Sequence, residues 1–86
     1  MPLYISAHTT ACLTKQALIK LMKDLLRAEG VSVLRSVSSQ IGGRMLVEAE
    51  ASDQATLEKF FVSRNINCEW VMRIDLDAKE GEVSER

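Results

Sequence analysis

From Leu3 to His8 the chain alternates, with Leu3, Ile5 and Ala7 on one side and Tyr4, Ser6 and His8 on the other. A period of two describes a strand with one buried face, and the apolar set is expected to point inward. After Thr14 the period lengthens: Leu18, Leu21, Met22, Leu25 and Leu26 fall on one helical stripe, and Lys15, Lys20, Lys23, Asp24 and Arg27 share the rest. This predicts an amphipathic helix with Thr14 as N-cap and Gly30 beyond its end. Val31 to Ser38 is β-branched and serine-rich, as an edge strand would be, and Arg35 on the parity of Val31, Val33 and Val37 marks a bulge or irregular edge. Residues 38–43 form a hairpin connection into a third strand, where Met45, Val47 and Ala49 alternate with Leu46, Glu48 and Glu50. Ser52 or Asp53 caps a second helix with the stripe Leu57, Phe60 and Phe61, and Asn65 terminates it. In the last strand Cys68, Trp70, Met72, Ile74 and Leu76 form the expected core parity against Glu69, Val71, Arg73 and Asp75. Residues 77–86 are polar and without period, so they are expected to form a frayed or disordered tail.

The order strand, helix, strand, strand, helix, strand defines the expected class. It is an α+β, ferredoxin-like βαββαβ fold, with a four-stranded antiparallel sheet in the order 4-1-3-2 and two helices on one face. Residues 1–76 make one domain and 77–86 the tail. No further element remains for the second sheet face, so that face is solvated or buried against another copy, and a homodimer is the expected partner state. In this topology His8 should lie near Glu69, and Tyr4 between Glu50 and Arg73.

Composition narrows the class of partners. Eighty-six residues suffice for a single core, and 47% hydrophobic with 27% charged residues is too apolar for a disordered chain. Eleven basic residues against twelve acidic ones, with no basic block, argue against nucleic acid. The opening MPLYIS has no basic leader and no apolar run long enough to span a bilayer, so a cytoplasmic protein without membrane contact is expected. Cys12 and Cys68 stand far apart in a chain without secretory features, which favours reduced thiols over a disulfide.

Candidate chemistry concentrates near the single histidine. His8 precedes Cys12 by four positions at the end of the first strand, and Cys68 opens the strand expected beside it. Imidazole and thiolate together suit nickel, zinc or copper, and Glu69 or Glu50 could complete the ligands. The spacing is no specific metal signature. A buried small thiol is the commoner role for Cys68, an unremarkable loop thiol for Cys12 and a partly exposed strand-end imidazole for His8. A Cys12–Cys68 redox pair lacks the C-x-x-C arrangement. Glu48 and Glu50 project from one strand face and fit solvated charges as well as paired carboxylates. Gly42-Gly43 joins two strands and makes no phosphate loop. Trp70, on the core parity, is expected to pack rather than stack on a ligand.

Two resemblances add expectations. MPLYI, followed by a strand and a helix, resembles the tautomerase superfamily, which implies a general base at the amino-terminal Pro2 once Met1 is removed and makes a tautomerase-like enzyme the alternative reading. The runs YISAHTT and GRMLVEAEAS, the helix opened by LT and the overall length are similar to small ferredoxin-like proteins of largely unknown function that include nickel-binding members. That likeness implies a metal site using His8, followed by Thr9, and the acidic Glu50. The chain carries Val47 where those relatives have a cysteine, and no second histidine near the second helix. The combined expectation is a non-catalytic, self-associating domain that binds a transition metal through His8 with Glu50, Cys12, Cys68 or Glu69, or else a purely structural interaction module.

Overall fold

The computed structural model describes residues 1–86. It contains β1 (Leu3–Thr9), α1 (Lys15–Leu26), β2 (Ser32–Ser39), β3 (Arg44–Glu50), α2 (Gln54–Ser63), β4 (Trp70–Arg73), β5 (Leu76–Lys79) and β6 (Glu82–Glu85). Strands β1 to β4 and both helices occur in the order that the periodicity predicts, and α1, α2 and β3 also present the predicted faces. Thr14 caps α1 by accepting the Ala17 N–H, and Asp53 caps α2 by accepting the Thr56 N–H at 2.7 Å. Each cap satisfies one of the backbone donors that a helix start leaves free. Helix α1 stops at Leu26, short of Gly30, whose φ of 87° turns the chain toward β2. Asn65 follows α2 with φ 58°, the left-handed conformation that ends a helix.

The main sheet has the order β2-β3-β1-β4, which is the expected 4-1-3-2, and every pairing in it is antiparallel. Both helices cover the same face. Their Leu18, Leu25, Leu57, Phe60 and Phe61 share one core with Met45, Val47 and Ala49 of β3 and Val33 of β2. Burying such side chains stabilises the domain by about 1.5–3 kcal/mol each relative to exposure. The register of β2 shifts between Val33 and Arg35, so Val33 enters the core while Arg35 and Val37 emerge on the opposite face. The irregular edge signalled by Arg35 is this bulge.

Two strands present the reverse of their expected faces. In β1, Tyr4, Ser6 and His8 lie opposite Ala49, Val47 and Met45, and all three are buried under the helices. Ile5 and Ala7 pair with Glu48 and Leu46 on the open face. Direct cross-strand partners project from one side of a sheet, so β4 follows. Val71, opposite Ser6, packs on the core, whereas Trp70 and Met72, opposite Ala7 and Ile5, stand on the open face and are 41% and 54% exposed. The expectation that Trp70 and Met72 are core residues is therefore corrected. Cys68 precedes β4 rather than opening it, and lies partly buried against the core.

Residues 77–85, expected in an aperiodic tail, and Leu76, expected on the core parity of the fourth strand but exposed, form a separate antiparallel hairpin of β5 and β6, turned by Glu80 and Gly81 at φ 54° and 81°. It pairs only with itself. An Arg86–Asp77 ion pair at 2.8 Å and the Arg86 N–H to Asp75 carbonyl bond close its base. No helix is long and apolar enough to cross a membrane.

Candidate functional site

His8 owes its place to the inward parity of β1. Its ring lies edge-on to Phe61, with centroids 4.4 Å apart. The Asn67 carbonyl, 2.8 Å from Nδ1, can only accept, so Nδ1 carries the proton and donates to it. In the neutral ring Nε2 is then left as acceptor for the Ser6 hydroxyl, also at 2.8 Å. Ser6 and His8, two apart on one strand, thereby satisfy each other inside an apolar layer. Burial pushes the imidazole below its ordinary range; the Asn67 bond and the nearby Glu69 charge pull weakly the other way. The expected proximity of His8 and Glu69 holds. Tyr4 lies between Ala49 and Arg73, one position from the expected Glu50.

The five residues considered as ligands do not gather. Glu50 ends β3 opposite Leu3, on the open face, whereas His8 pairs with Met45 five positions earlier and faces the helices. At about 3.3 Å per residue the separation along the strand is roughly 16 Å. Glu69 forms an ion pair with Arg44 at 3.4 Å. The Cys68 thiol contacts the Trp70 carbonyl at 3.4 Å, and burial followed by the Glu58 charge raises its pKa. Cys12 is exposed, and both cysteines are free thiols. No group of three His, Cys, Asp or Glu side chains comes close enough to hold a metal ion. Pro2 sits at the other end of β1 from His8, and its carbonyl accepts the Ala51 N–H.

Two features escape a reading by alternation alone. The first is the open sheet face, where Ile5, Val37, Leu46, Trp70 and Met72 contribute apolar surface from all four strands. Arg35 and Glu48, of opposite charge, are cross-strand partners within it. The second is a cavity of about 360 Å³ on the helix side, bounded by the end of β1, the turn before α1 and the segment after α2. His8, Thr10, Cys12 and Arg64 are among its lining residues, which come from separate stretches of sequence. The turn is tied down by the Thr10 N–H to Gly43 carbonyl bond at 2.8 Å and the Leu13 N–H to Thr10 carbonyl bond at 3.0 Å.

Comparison with known protein families, curated proteins and solved structures yields no match.

Proposed function

We propose that this chain is a ferredoxin-like, non-catalytic interaction module that pairs with a second copy through its open sheet face. The carrying observation is the exposure of Trp70 and Met72 beside Leu46, Val37 and Ile5 on a sheet whose other face is covered by helices. A second copy fits this face because it carries both charges of a complementary pair: a two-fold arrangement can set Arg35 of each copy against Glu48 of the other. Strands about 4.8 Å apart, with seven residues in β1 and β3, eight in β2 and four in β4, give a plane of roughly 400 Å², before side-chain relief is counted. A specific dimer buries about 800 Å² per partner. The hairpin β5–β6, with exposed Leu76 and Val83, offers further area beyond the sheet.

Light scattering across a concentration series tests this reading. The wild type should have the mass of a dimer, and Trp70→Glu that of a folded monomer. A wild-type monomer throughout the series overturns it. The transition-metal proposal requires His8 Nε2 to exchange the Ser6 hydroxyl for the metal, so nickel, zinc or copper should shift the imidazole resonances. Unmoved resonances at saturating metal remove it.

A further inference from the structure

We infer that the cavity beside Thr10 and Arg64 is a binding site for a small monocarboxylate with an aliphatic body. Thr10 is the first observation. It is 5% exposed, its backbone N–H and carbonyl are both used by the turn, and its Oγ1 is the one buried side-chain oxygen or nitrogen without a hydrogen-bond partner. Leaving a buried hydroxyl unpaired is costly, and nearly all such groups in folded proteins have partners. Thr10 lines the cavity although its hydroxyl is closed off from that space, so a bound molecule with an acceptor oxygen would supply the missing partner when the side chain turns about its Cα–Cβ bond.

Charge decides the chemical class. Arg64 is the one formally charged residue among those lining the space, and no carboxylate lines it. Its guanidinium carbon sits 4.8 Å from the centroid of the Phe60 ring, so the planar fork is held near the aromatic face while its donors stay available. No ion pair engages Arg64. His8 adds no charge at neutral pH, because burial favours its neutral form and both ring nitrogens are already bonded. The start of α1 and the end of α2 both border the cavity and present dipole ends of opposite sign, which leaves Arg64 as the one full charge there. Arginine with a hydroxyl donor matches a carboxylate, whose oxygens accept two or more hydrogen bonds.

Shape sets the remainder of the ligand. Leu13, Leu21, Met45 and Ile66 form the apolar part of the wall, and the volume lies within the range of small-molecule sites, about 300–1,000 Å³. An alkyl chain would rest against these side chains while the carboxylate meets Arg64 and Thr10. The site lies on the helix side of the sheet, so it does not depend on pairing through the open face.

Titration of isotope-labelled protein with butyrate, hexanoate and octanoate, with hexylamine as the cationic counterpart, provides the test. Saturable amide shifts confined to Thr9–Leu13 and Arg64–Asn67 are expected for the carboxylates and not for the amine. Arg64→Gln should weaken hexanoate about tenfold or more, the scale of one charge-assisted hydrogen bond. Thr10→Val should weaken it while leaving the melting temperature unchanged or raised, since it removes an unpaired hydroxyl at nearly constant shape. Repeating the titration on Trp70→Glu separates this site from self-association: shifts should persist whether or not that variant is a monomer. Absence of saturable shifts, equal binding of hexylamine, or unchanged affinity in both cavity variants overturns the proposal.

Discussion

His8 and Ser6 show how a polar pair can occupy a core when each supplies what the other needs. Because the folded imidazole titrates below its ordinary value of about 6.5, the unfolded chain binds the extra proton more readily. The contribution of this group is therefore complete above pH ~6.5 and is lost as pH falls through the folded value. A histidine-specific NMR titration should give an apparent pKa below 6.5, and His8→Gln should flatten the acid limb of the stability curve. A folded-state pKa at or above 6.5 would contradict this assignment. The two thiols should also separate. Cys12 is exposed, whereas burial holds the Cys68 proton on, so a disulfide reagent should modify one thiol rapidly and the other slowly. Equal rates would show that Cys68 is more accessible than its packing indicates.

At the scale of elements, Asp53 and Gly43 carry separable roles. Asp53→Ala should lower the denaturant midpoint by removing the α2 cap, with Asp53→Asn losing less because its side-chain oxygen still accepts the Thr56 N–H. Gly43 has φ 65°, and a Cβ there would stand 2.9 Å from the Ala11 Cβ and 3.2 Å from its Cα. Gly43→Ala should therefore destabilise by about 1–3 kcal/mol and displace the turn that carries Thr10 and Cys12. Cap and terminator residues were readable because Thr14, Asp53 and Asn65 act on their own neighbours in sequence. The inward faces of β1 and β4 were not. Both sides of those strands carry apolar residues, so alternation established a strand without giving its direction. In β1 the polar side faces inward because Ser6 satisfies one nitrogen of His8 and the Asn67 carbonyl, 59 positions away in sequence, satisfies the other, a match that no local pattern announces. Trp70 and Met72 then follow the face of Ile5 and Ala7 through register rather than through hydrophobicity.

For the whole molecule, the sheet order was legible because two strand-helix-strand units with short connections leave few compact arrangements. The hairpin β5–β6 was not, since residues 77–86 lack alternation and their structure depends on an Arg86–Asp77 contact and two left-handed turn residues. The cavity was only half legible. His8 and Cys12 drew attention to its rim, but Thr10 and Arg64 gain meaning only when the turn before α1 meets the segment after α2. Phe61 joins these layers, being fully buried on the inner side of α2 against His8, and Phe61→Ala should cost about 3–5 kcal/mol. Completion of that core leaves the second sheet face, with Trp70 and Met72, uncovered. Sedimentation equilibrium of the full chain and of Trp70→Glu, each at several concentrations, tests its role most directly. Pairing through the open face requires a wild-type dimer and a folded monomeric variant; a wild-type monomer at every concentration, or a variant that dimerises as tightly as the wild type, rules that pairing out.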